Sequence, residues 1–128
     1  GQKEFSDRVK ENYGFQCCFP GCEVTHPRFL VGAHIARWAD APKFRGRLDN
    51  GLCLCLMHDK AFEYGWFTLT LDHEVWIEEN RTENSEWARK ELLPREGHKI
   101  DGAPTMPGSE PLLQHWERVD LYPVPDGS

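Results

Sequence analysis

The sequence predicts a small α+β domain: a β-hairpin with a long connection, crossed by one helix. Three features predict it. Phe29-Leu30-Val31 is an apolar run leading into Gly32-Ala33-His34-Ile35, and it reads as a buried strand. Gly51–Cys55 is a second short apolar strand. Leu56 to Tyr64 is helical in composition, and Gly65 can stop that helix in a left-handed conformation. Between the two strands, residues 39–50 carry Pro, Gly and Asp-Asn with almost no apolar periodicity, so they read as a loop.

The flanks add helices and a second hairpin. Phe5, Val9 and Tyr13 recur at steps of four and suit an amphipathic helix over residues 3–13, ended by Gly14. A Cys-rich turn follows, Cys17-Cys18-Phe19-Pro20-Gly21-Cys22. Trp66–Leu71 alternates as a strand, with Glu74–Glu78 as its partner across Asp72-His73. Asn84 or Ser85 can cap a helix through Leu93, which Pro94 terminates. Residues 97–108 are loop-like. Ser109-Glu110-Pro111 starts a last helix, with Leu112, Leu113, Trp116 and Val119 as its apolar face. The tail from Tyr122 to Ser128 is expected to be extended or frayed.

At 128 residues the chain is the size of one domain. Seven Phe, five Trp and three Tyr argue against disorder. The longest apolar stretches, such as Leu52–Met57, are too short to cross a bilayer. The N-terminal residues lack the apolar core of a signal peptide and do not begin with Met, so a larger parent protein is expected. Net charge is −6, which disfavours general nucleic-acid binding. The charge is uneven, however. Arg28 to Arg47 holds five bases against Asp40 alone, whereas Asp72 to Glu96 holds eight acids against four bases. One face could therefore meet phosphates while the rest repels them.

Five cysteines with no export signal point to a reducing compartment, with thiols available for metal. Cys17 and Cys22 bracket a tight Phe-Pro-Gly turn, like a zinc knuckle. Cys53 and Cys55 lie two apart on a strand and share a face. These four are the expected structural zinc ligands, with His26 as a further nitrogen donor. The competing reading is that the thiols are buried small hydrophobes.

Three polar residues punctuate the hairpin and helix: His34 ends the first strand, Asn50 ends the loop, and His58 opens the helix. Gly32-Ala33-His34-Ile35, Arg47-Leu48-Asp49-Asn50-Gly51-Leu52-Cys53-Leu54 and Met57-His58-Asp59-Lys60-Ala61-Phe62-Glu63-Tyr64-Gly65 together resemble the HNH endonuclease family. The branch they resemble has AHI, NGL and LH–AFD–G segments and occurs in bacterial, including modification-dependent, restriction nucleases. The resemblance is specific over residues 30–71. It is weaker at Gly97 and at Pro111-Leu112-Leu113-Gln114-His115.

The resemblance implies a ββα-metal core over about residues 29–65. A C-terminal extension follows over about residues 84–128, within one domain spanning 1–128. It also implies a metal-dependent DNA endonuclease of the bacterial cytoplasm. His34 would be the general base, since imidazole accepts a proton near neutrality. Asn50 would fix the loop that orients His34. His58 would ligate a divalent Mg²⁺ or Mn²⁺ ion, a Lewis acid for the scissile phosphate. Ala33 stands where many members carry a second metal ligand. Asp59 and Glu63 are the nearest substitutes, although Glu63 sits about 140° around an ideal helix from His58.

Arg37, Arg45 and Arg47 are candidate DNA-phosphate contacts, or else solvated loop charges. The expected partners are DNA, a recognition domain in the parent protein and a second copy in a homodimer, with no membrane. The competing function is a zinc-stabilised nucleic-acid-binding module that is weakly catalytic or inactive. A purely structural interaction domain, with His34 and His58 in its core, is a third.

Overall fold

The computed structural model describes residues 1–100 and 102–123. Helix α1 spans Gln2–Asn12, followed by the Cys-rich turn and strand β1, Leu30–His34. Strand β2 is Gly51–Cys55, and helix α2, Leu56–Glu63, follows it without a break. Strands β3, Phe67–Leu69, and β4, Val75–Ile77, form the second hairpin. Helices α3, Glu79–Thr82, α4, Glu86–Glu91, and α5, Ser109–Val119, complete the chain. Among the described residues, no helix is long and apolar enough to cross a membrane.

β1 and β2 pair antiparallel, from Leu30 opposite Cys55 to His34 opposite Gly51. This register puts His34 at the hairpin's open end and Cys55 at the other. β3 and β4 form a separate antiparallel pair, Phe67 opposite Ile77 and Leu69 opposite Val75. The expected strands, the interstrand loop and the crossing helix are all present. Gly65 follows α2 at φ 71°, a conformation that favours glycine.

α1 lies on the first hairpin because two strand glycines make room for it. A Cβ on Gly32 would stand 2.5 Å from the Ser6 carbonyl oxygen, and one on Gly51 would run into Val9. Phe5 and Val9 thereby enter a core that also holds Phe19, Leu52, Leu54, Phe62, Phe67 and Leu112. On the other side, α5 closes over β3. The Trp116 Nε1–H donates to the Leu69 carbonyl at 2.8 Å.

Two features of the C-terminal half differ from expectation. α3 has no apolar periodicity to reveal it; it is a single turn begun by the Glu78 carboxylate, which accepts from the Asn80 N–H. On α5, Leu113 is exposed, and the buried face is Pro111, Leu112, His115, Trp116 and Val119. His115 takes the inward place because both its ring nitrogens find partners there. Its Nε2–H donates to the Phe62 carbonyl at 2.9 Å, so Nδ1 accepts from the Thr68 hydroxyl at 2.7 Å. Burial pushes its pKa down to about 3. Tyr122 and Pro123 have no regular structure, and the rest of the tail lies outside the described residues.

Candidate active site and metal centre

The hairpin and α2 build two separate constellations. The first is at the β2–α2 junction. Cys55 is the last residue of β2 and the N-cap of α2, its sulfur accepting from the His58 backbone N–H. That cap turns His58 back toward the strand end. The His58 Nδ1 lies 3.1 Å from the Cys55 Sγ and 3.8 Å from the Cys17 Sγ. The Cys-rich turn comes in from the side, closed by Cys22 N–H to the Phe19 carbonyl and laced to β2 by Cys18 N–H to the Cys53 carbonyl.

The ligand atoms of Cys17, Cys22, Cys55 and His58 all lie within 4.8 Å of one another. Thiolates about 2.3 Å from a tetrahedral zinc stand about 3.8 Å apart, so this group could bind zinc. Cys55 is held well below the usual thiol range by hydrogen bonds from Cys17 and His58, while Cys17 is pushed up by sharing its proton with Cys55 and by burial. Phe19 stacks on the His58 ring at 4.1 Å, and Trp87 covers it at 5.4 Å.

This set differs from the expected one. Cys53 is buried but stands outside the group, and His58 takes its place. Cys55 reaches the group because it ends β2 and caps α2, whereas Cys53, two residues back in the strand, lies outside it. His26 is also outside; its Nδ1 accepts from the Arg28 N–H in an exposed turn. His58 was expected to face the catalytic cation. It is 4% exposed, its Nδ1 is among the thiols, and its Nε2 is enclosed without a partner. Among the described residues, no group of three metal-ligating side chains includes His34.

The second constellation surrounds His34. Its ring lies face to face on Phe5, with centroids 3.9 Å apart and planes 9° apart, and edge-on to Trp38 at 5.4 Å. Nε2 is enclosed and unpartnered. Burial, and then the Arg45 charge, lower its pKa below the ordinary imidazole value.

Asn50 is fully buried and clamps the backbone just past His34. Its Oδ1 accepts from the Ala36 N–H at 2.7 Å. Its Nδ2 donates to the Ala36 and Phe44 carbonyls, and its own carbonyl accepts from Ile35 N–H. The side chain ties both ends of the interstrand loop together and has no polar atom left for substrate.

The three arginines fall into different environments. Arg37 pairs with Glu63 at 2.5 Å. Arg47 forms a double hydrogen bond with Asp49, at 2.8 and 3.0 Å, and approaches Glu110. Arg45 has no carboxylate partner among the described residues. Its guanidinium lies 4.8 Å from the Trp38 ring and donates to the Trp38 carbonyl.

Glu63 is held by Arg118 as well as Arg37, which occupies both its oxygens. Asp59, one turn earlier on the same helical face, is half-buried and makes no hydrogen bond or ion pair among the described residues. Burial raises its pKa. The contributions of Phe5, Trp38 and the Cys55–His58 pair were not anticipated. Only the last had a local signal: Cys55-x-x-His58 is itself a ligand spacing.

This arrangement has relatives. Residues 17–70 match the HNH endonuclease family. Among solved structures, the chain is similar to a "Modification dependent TagI restriction endonuclease", with a TM-score of 0.66 at 21% identity. The similarity covers 98% of this chain and 40% of that one, so the chain spans well under half of its structural neighbour. No curated protein matches it. The fold is of the HNH type, a small α+β unit whose Cys/His cluster could bind zinc.

Proposed function

We propose that this chain is the cleavage domain of a metal-dependent DNA endonuclease, in the AHI/NGL branch of HNH nucleases. The observation that carries the proposal is His34. It lies within the family-matched segment, at the open end of the hairpin, clamped from behind by Asn50 and kept neutral by burial and by Arg45. A neutral imidazole near physiological pH can take a proton from water.

In this reading His34 receives the proton of the attacking water, and Nδ1 is its working atom, since Nε2 is enclosed. Asn50 holds the backbone that aims the ring. Arg45, free of any carboxylate among the described residues, holds a backbone phosphate, and Arg37 and Arg47 add to the local field while remaining paired. A divalent cation of the Mg²⁺ or Mn²⁺ type, when bound, would supply Lewis acidity to the reaction. Asp59 is the acid free to ligate it; Glu63 is committed to its two arginines. His58 belongs with Cys17, Cys22 and Cys55 in a structural zinc site.

Residues 1–128 act as one nuclease domain of a larger, cytoplasmic bacterial restriction protein. The 40% coverage of its structural neighbour leaves room for a recognition domain. Because that neighbour is modification-dependent, a reader of modified bases is the first candidate. A homodimer would pair two nicks into a double-strand break.

Ala33, the missing ligand beside His34, favours a second reading: a zinc-stabilised module that binds nucleic acid without cutting. Supercoiled plasmid incubated with Mg²⁺ or Mn²⁺ separates the two. The nuclease converts it to nicked circles; loss of cutting in Asp59→Asn, with cutting retained in Glu63→Gln, supports the ligand assignment. Binding without nicking in either metal supports the second reading.

A further inference from the structure

We propose that α1 is part of the catalytic apparatus, with Phe5 as a positioning residue that fixes the plane of the His34 imidazole. The inference rests on the reading of His34 as the general base. α1 lies outside residues 17–70, so the family match does not account for it.

The geometry gives α1 little freedom. The two strand glycines that seat it, Gly32 and Gly51, sit on opposite strands of the hairpin. Gly51 is the register partner of His34. The tip of the Phe5 ring, Cζ, lies 3.2 Å from where a Gly51 Cβ would stand, so Phe5 is wedged between the β2 backbone and the His34 ring. One face of the imidazole is covered at 3.9 Å with the planes 9° apart, and Trp38 meets it at 72°. Neither ring nitrogen of His34 has a hydrogen-bond partner among the described residues. Elsewhere a histidine's orientation is set by such a bond. Here the aromatic stack takes that role.

Phe5 is 3% exposed, so the stack also keeps water from that face. Of the surrounding charges, Arg45 in the interstrand loop is the one whose field reaches the ring. On α1, Lys3 is paired with Asp7, and Arg8 donates to the Gly46 carbonyl.

The test uses NMR on the zinc-loaded, magnesium-free chain, together with plasmid nicking. In the wild type, the carbon-bound ring protons of His34 should resonate upfield of those of exposed His98, shifted by the Phe5 ring current. Phe5→Leu keeps an apolar side chain without the ring. It should abolish that shift, move the His34 titration up toward the ordinary value near ~6.5, and lower kcat about tenfold at unchanged KM.

A wild-type His34 without the upfield shift overturns the proposal, whatever the variant does. So does Phe5→Leu with shift, titration and kcat unchanged. If the wild type does not nick DNA, the base assignment fails, while the NMR measurements still decide whether Phe5 fixes the ring.

Discussion

The sulfur of Cys55 accepts a hydrogen bond from the His58 backbone N–H while standing 3.1 Å from the His58 Nδ1. One cysteine thus caps a helix and lies against the imidazole that the cap orients. The junction between strand and helix, which the hairpin fold requires, also supplies half of the Cys/His group that could bind zinc.

That arrangement predicts different outcomes for two neighbouring cysteines. Cys55→Ser should remove the bound zinc and unfold the chain at moderate temperature, a loss on the order of 5 kcal/mol or more. Cys53→Ala should retain the zinc and cost about 1 kcal/mol. Elemental analysis and thermal unfolding of the two variants check this, and chelation of the wild type should mimic Cys55→Ser.

Asn50→Ala should cost about 2–4 kcal/mol, because it leaves the Ala36 N–H and carbonyl buried without their partner. Nicking should fall further than folding does, since the freed segment carries the residues next to His34. Denaturant unfolding and plasmid cleavage, measured on the same preparation, separate the two effects.

In the proposed mechanism, Arg45 adds to burial in setting the acid side of the pH profile. Its positive charge disfavours imidazolium at His34, so removing it raises the His34 pKa. In Arg45→Gln the acid limb of kcat should therefore move to higher pH, and activity at about pH 6 should suffer more than at about pH 8. A profile that scales down uniformly would assign Arg45 to phosphate binding alone.

His115 makes folding sensitive to acid. Its folded pKa lies at about 3, below the unfolded value near ~6.5. Its contribution is complete above the unfolded value. It is lost as pH falls toward the folded one, because only the unfolded chain gains the proton. From about pH 7 to about pH 4.5 the wild type should lose about 2–3 kcal/mol more than His115→Gln. Urea unfolding of both proteins at the two pH values checks this; a constant gap would contradict it.

These contrasts show which parts of the molecule could be read from the chain. The first hairpin and α2 were legible because Leu30-Val31 and Gly51–Cys55 are apolar runs bounded by loop residues, and Gly65 marks a stop. Two-residue alternation assigns Cys53 and Cys55 to one face of the strand, but it says nothing of the distance to a third element. The metal group depends on where the Cys17–Cys22 turn docks. His115 carries no local signal of its burial because its partners, Thr68 and Phe62, lie 47 and 53 residues away. The stack of Phe5 on His34 joins two segments 29 positions apart by number, with no shared pattern.

The most direct measurement is single-turnover cleavage of supercoiled plasmid by wild type and His34→Ala, with Mn²⁺ or Mg²⁺ saturating and zinc content matched. The account predicts nicking by the wild type and its loss, by about a hundredfold or more, in His34→Ala with folding intact. Equal cutting by both proteins would contradict the assignment of His34 as the base.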